Sequence, residues 1–153
     1  MKNILVAVDG SPTSLKAANK AVDIAKKYSS TLTFLSVVKD PDIFFEGRSE
    51  IAAGIDMESV MDTLTKQHKN MLDEFVTQLP ELGDISYEKL VTVGDPYKGI
   101  ITAAVDNNSD LIVIGRRGFS KIKRLFFGSV SKNVVTHSPC PVLVITDDEE
   151  YED

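Results

Sequence analysis

Lys2-Asn3-Ile4-Leu5-Val6-Ala7-Val8-Asp9-Gly10-Ser11-Pro12 carries the pattern that decides the fold. From Ile4 to Val8 it is apolar without interruption, as expected of a strand buried on both faces. Asp9 and Gly10 end the run with turn chemistry. Ser11 is a good helix cap, and Pro12 suits a first helical position, where a missing N–H costs nothing. Leu15, Ala18, Val22 and Ala25 then recur at helical spacing and predict a helix ending near Tyr28. A buried strand, a tight turn and an amphipathic helix make the opening unit of a parallel sheet.

The alternation continues outward from that unit. Residues 31–38 are rich in β-branched and apolar side chains and read as a second strand. Residues 39–54 form a long connection, expected to act as a lid. Met57, Val60, Met61, Leu64, His68, Met71, Leu72, Phe75 and Leu79 mark the longest helical stripe, which Pro80 and Gly83 stop. Further strands are predicted at 86–91, 110–114 and 141–145. Helices are predicted from Gly94-Asp95-Pro96 through Val105, and at 129–136. The expectation is an α/β fold: a single doubly wound domain whose five-stranded parallel sheet, order 3-2-1-4-5, carries helices on both faces. The domain is assigned to residues 1–146. The acidic tail 147–153 is expected to be disordered. In such sheets a ligand sits beyond the carboxyl ends of the strands, where the winding reverses. That rule singles out Val8-Asp9, Val37-Val38 and Ile114-Gly115.

The composition is that of an ordinary globular chain, with 42% apolar and 26% charged residues. The net charge of −6 hides an asymmetry. From Leu111 to Thr146 there is no Asp or Glu, while Arg116, Arg117, Lys121, Lys123, Arg124 and Lys132 all fall there. Six of the 17 basic residues are thus in one stretch, leaving 11 against 23 acidic ones elsewhere. An acidic chain with one basic island suits a compact anion and disfavours nucleic acid. No apolar run approaches the length of a membrane span. The single cysteine, Cys140, excludes an internal disulfide, and no targeting signal is visible, so the expected location is cytoplasmic.

Gly115-Arg116-Arg117-Gly118 follows a buried strand, and Gly128-Ser129 opens a helix nine residues later. Glycines at both points let backbone amides approach an anion, and a helix start offers unpaired N–H groups and a positive dipole end. The Ser129 and Ser131 hydroxyls can donate to phosphate oxygens. Asp9, at a strand's carboxyl end, suits ribose hydroxyls or a metal. His68 reads as a half-buried core residue, His137 as a complement to a helix C-terminus, and Cys140 as a small buried hydrophobe. No metal site made of protein ligands alone is expected, and no catalytic residue is assigned.

The spacing Gly-x-x-Gly, nine residues, Gly-Ser resembles the ATP-binding signature of the universal stress proteins. Ile4-Leu5-Val6-Ala7-Val8-Asp9-Gly10-Ser11, Gly94-Asp95-Pro96 and Ser138-Pro139-Cys140-Pro141-Val142-Leu143-Val144-Ile145 are similar to other parts of that family. The resemblance implies ATP as ligand. It places Ala7, Val8 and Asp9 on the ribose and adenine side and Val37 at the adenine edge through its backbone. Ile114, Gly115, Arg117, Gly118, Gly128, Ser129, Val130 and Ser131 would then line the ribose and phosphates. With Mg²⁺ on its phosphates, ATP would set a stress-response switch. Alternatives are a slow ATPase or autophosphorylating enzyme, or a scaffold binding AMP or a cyclic nucleotide. Dimerisation in the family agrees with the apolar last strand, which lies at a sheet edge in the expected order and invites a homodimer through it.

Overall fold

The structure, a computed structural model, describes residues 1–40, 54, 56–116 and 128–146. Strands β1 (Asn3–Ala7), β2 (Thr31–Lys39), β3 (Tyr87–Gly94), β4 (Leu111–Gly115) and β5 (Val142–Ile145) alternate with helices α1 (Pro12–Tyr28), α2 (Met57–Thr77), α3 (Pro96–Asp106) and α4 (Ser129–His137). All strand pairings are parallel, and the sheet order is β3-β2-β1-β4-β5. The winding reverses between β1 and β4, as the expected order requires. Among the described residues, no helix is long and apolar enough to cross a membrane.

The unbroken apolar run of β1 has a direct cause. Ile4, Val6 and Val8 enter a core shared with α1 and α2, whereas Leu5 enters a second core shared with α3 and α4. Successive side chains point to opposite faces, so a strand covered on both sides has no polar face to spare. The α1 face is made of small residues, with Ala17, Ala18, Ala21, Val22 and Ala25 all buried. Phe34 of β2 fills the same side, edge-on to Phe75 of α2 at 6.3 Å between ring centroids.

Local chemistry sets the helix ends. Ser11 caps α1, its Oγ accepting from the Ser14 N–H at 3.1 Å, with Pro12 in the first turn. Ser29 closes the helix in the left-handed region at φ 55°, donating its N–H to the Ala25 carbonyl. Asp56 and Asp95 cap α2 and α3.

The largest boundary difference from the expectation is in β3, which was expected at 86–91. β3 continues three residues past Val91, because Thr92, Val93 and Gly94 pair with Val37, Val38 and Lys39 as β2 runs on. Gly94 therefore ends a strand, and the helix begins only at the Asp95 cap. Lys39, the first residue of the stretch expected to form a lid, is instead the last residue of β2. Residues 41–53 and the tail 147–153 lie outside the described residues.

Candidate functional site

A cavity of about 460 Å³ opens at the carboxyl ends of β1, β2 and β4, beside the winding reversal. The first turns of α1, α3 and α4 surround it, contributing Ser11 and Ser14, Pro96, and Ser129, Val130 and Ser131. Three positive helix ends thus converge on one space.

The α4 end is built for close approach. Its cap is Gly128, which has no side chain to occupy the first-turn amides. The Gly128 N–H donates to the Arg116 carbonyl at 3.0 Å, and the Ser131 hydroxyl reaches the same oxygen at 2.8 Å. Arg116 in turn donates its N–H to the Ile145 carbonyl at 2.8 Å. The start of α4 is therefore pinned to the exit of β4, with Lys132 closing the first helical bond onto the Gly128 carbonyl.

At the other end, β1 stops pairing with β2 at Ala7 opposite Leu35, and the Val8 N–H donates to the Leu35 carbonyl at 2.8 Å. β2 runs on to Lys39 with β3 alone as ladder partner. Backbone groups alternate sides along a strand, so Val37 presents its N–H and C=O on the side where Leu35 meets β1. There β1 has ended and the cavity has begun. One donor and one acceptor face it.

The structure brings most of the sequence-selected residues together. Ala7, Val8 and Asp9 line the cavity from β1, Val37 from β2, and Ile114 and Gly115 from β4. Gly128, Ser129, Val130 and Ser131 line it from α4. Arg117 and Gly118 lie outside the described residues.

Three of the selected residues also make contacts within the fold itself. Ser131 is 2% exposed, and its hydroxyl faces the Arg116 and Gly128 carbonyls at 2.8 and 3.1 Å. The hydroxyl is thus engaged with the backbone between the β4 exit and the α4 start, on the lining of the cavity. Gly115 has a packing reason to lack a side chain, since a β-carbon there would lie 2.8 Å from Thr13 Cγ2 of α1. Asp9 is exposed, and its Oδ1 accepts from the Ser11 N–H at 2.9 Å, which braces the Asp9-Gly10 turn at φ 82°. It leaves the helix cap to Ser11.

Leu35, Lys39, Pro96, Ile100, Ser14 and Arg116 also line the cavity without having been selected. The signal for Leu35 and Lys39 is the two-residue strand period about Val37, and for Ile100 it is one helical turn from Pro96.

His68, away from the cavity, is half-buried on α2 with Nδ1 2.7 Å from Ser36 Oγ, and burial lowers its pKa. His137 sits at the α4 C-terminus, its Nδ1 2.9 Å from the Asn133 carbonyl and its ring 5.4 Å from Tyr97. Cys140 is half-buried against the core under α3 and α4. Among the described residues, no group of three or more His, Cys, Asp or Glu could hold a metal ion.

Residues 1–146 match the sequence profile described as the Universal stress protein family. A Staphylococcus saprophyticus chain named as a universal stress protein is 35% identical over 158 aligned positions, covering 99% of this chain and 87% of the relative. The structure of the universal stress protein UspA from Lactobacillus plantarum is similar at TM-score 0.77 and 28% identity, covering 94% of this chain and 97% of that one. A universal stress protein solved in complex with cAMP is similar at TM-score 0.66 and 26% identity, covering 95% and 96%.

Proposed function

The chain belongs to the universal stress protein family, and we propose that it binds ATP in this cavity as a nucleotide-dependent switch. The observation that carries the reading is the α4 start. A helix N-terminus capped by glycine opens into a cavity at the winding reversal, where a phosphate can meet backbone N–H groups and a positive dipole end. Gly128, Ser129 and Val130 hold the phosphates, and Arg116 adds charge. The base lies at the β2 end, its edge on the backbone N–H and C=O of Val37. Asp9 serves the ribose. The cAMP complex of the structural relative supports a nucleotide in this fold.

Mg²⁺, when bound with the nucleotide, neutralises phosphate charge. Asp9 is the only carboxylate lining the cavity among the described residues, so it is the protein group suited to such an ion. Hydrolysis would need a base or a water-orienting group beside the terminal phosphate. With Asp9 braced on the Ser11 N–H, binding is the better reading than turnover. ATP occupancy is read out through a homodimer whose interface is the β5 edge.

The test is extraction and mass spectrometry of ligand from freshly purified protein, followed by calorimetry with ATP and a single-turnover assay. The expected result is an adenine nucleotide in the extract, saturable ATP binding, and hydrolysis no faster than background. Failure of ATP to bind overturns the reading. Turnover abolished by Asp9→Asn would make the protein an enzyme instead.

A further inference from the structure

We propose that helix α2, which contributes no residue to the described lining of the cavity, holds its nucleoside end from behind, with His68 and Met71 as positioning residues. The inference rests on the nucleotide-binding reading above and adds the residues that fix the base-facing and ribose-facing backbone.

The two strand exits concerned have little support within the sheet. β2 continues beyond Leu35 with β3 alone as ladder partner, because β1 has stopped. Val37 therefore offers its cavity-facing backbone groups from a strand paired on one side only. β1 itself gives way to the Asp9-Gly10 turn, with Gly10 at φ 82°. Segments with few ladder bonds depend on what packs against their faces.

α2 packs on β2 and β3 and meets both exits. Side chains alternate along β2, so Leu35 and Val37 line the cavity while Ser36, between them, turns to the opposite face of the sheet. Ser36 is 1% exposed there, with its Oγ 2.7 Å from His68 Nδ1. Met71 follows three residues later, on the same face of the helix. A β-carbon at Gly10 would stand 3.3 Å from Met71 Cγ and 3.5 Å from its Sδ, so this side chain lies against the backbone of the turn. One turn of α2 thus braces the residue before Val37 and the residue after Asp9.

The phosphate end has separate support. The start of α4 is tied to Arg116 and, through it, to Ile145 of β5. β4 and β5 lie across β1 from the strands that α2 covers. Loss of the His68 or Met71 contact therefore loosens the nucleoside end and leaves the anion end in place.

Titration calorimetry of the full chain with ATP tests this in His68→Phe, Ser36→Ala, their double variant, Met71→Ala and Met71→Leu, with thermal melts checking folding. His68→Phe and Ser36→Ala should each weaken ATP by about 5-fold, and the double variant no further, because both remove the same bond. Met71→Ala should weaken ATP by about 5-fold, and Met71→Leu, which refills the space, by less than about 2-fold. Amide hydrogen exchange of the ligand-free chain gives a second readout. His68→Phe should speed exchange at Val38, in the part of β2 paired with β3 alone, more than at Val113 of the central strand β4. The proposal is overturned if folded His68→Phe or Met71→Ala binds ATP like wild type, or if Met71→Leu loses as much as Met71→Ala. Equal acceleration at Val38 and Val113 also overturns it, because His68 would then stabilise the whole domain and not the β2 end. Wild type that binds no ATP removes the underlying reading, and the exchange rates then decide separately whether His68 holds that end.

Discussion

Ser131 Oγ lies 2.8 Å from the Arg116 carbonyl oxygen, so a side chain in the first turn of α4 holds the backbone at the exit of β4. The same carbonyl accepts the Gly128 N–H at 3.0 Å. Ser131→Ala removes one of two bonds to that oxygen. The expected loss of stability is about 1 kcal/mol, typical of a neutral hydrogen bond. ATP affinity should fall too, because the α4 amides lose their fixed position. Paired thermal melts and titrations check this, and unchanged affinity in a folded variant would show that Gly128 alone sets the cradle.

Asp9 separates two roles cleanly. Asp9→Asn keeps an oxygen to accept the Ser11 N–H, so the turn and the Ser11 cap should survive with little change in melting temperature. The lost charge should weaken ATP binding by on the order of 1–3 kcal/mol, the range for a hydrogen bond to a charged group. Asp9→Ala should lose the turn bond in addition. A large drop in the melting temperature of the ligand-free Asp9→Asn protein would make the carboxylate structural.

Gly115→Ala should destabilise the chain by about 1–3 kcal/mol, because the new β-carbon would meet Thr13 Cγ2 at 2.8 Å. Thr13→Ser deletes that methyl and keeps the hydroxyl. Denaturant melts of the double variant should therefore recover part of the loss. Additive losses in the two single variants and the double would disprove the contact.

Burial holds the pKa of His68 below its ordinary value of 6.5. The unfolded chain then takes up a proton that the folded chain resists. The associated stability is fully present above pH 6.5 and is lost as the pH falls through the lower folded value. Neutral Nδ1 can also accept the Ser36 hydroxyl proton, which a protonated ring cannot. His68→Gln should flatten the melting-temperature profile between about pH 7 and pH 5 relative to wild type. An unaltered slope would assign the acid sensitivity to other groups.

The homodimer proposed through β5 has a backbone-specific test. Pro141 and Ile145 accept β4 bonds through their carbonyls, from Ile112 and Arg116, so Val142 and Val144 present their backbone groups to the outer side of β5, the edge strand of the described sheet. Val144→Pro removes an outward donor while leaving the β4 ladder in place. Sedimentation at micromolar concentration should give a dimer for wild type and a shift toward monomer for the variant. A wild type that sediments as monomer with and without ATP would end the proposal.

Helices and strands were legible because their signals are local. Alternate burial of Ile4, Leu5 and Val6 in two cores appears in sequence as an unbroken apolar run, and Ser11-Pro12 announces the helix that follows it. The order 3-2-1-4-5 came with the doubly wound form that the alternating strands and helices imply, and the observed sheet has it. β3 runs longer than its sequence pattern suggests because its last three residues are strand only by pairing with the extension of β2.

The sequence by itself determined that a glycine-capped helix start follows a buried strand near a basic island, since spacing and side-chain type are enough to state it. Tertiary structure alone decided what surrounds that helix start. Lys39 and Pro96 reach the cavity because β2 outruns β1 and because α3 begins at the same end of the sheet. Gly115 lacks a side chain because Thr13, about a hundred residues earlier in the chain, presses against it. Such relationships depend on the register between distant segments, and no pattern within a single segment records where its neighbour will stop.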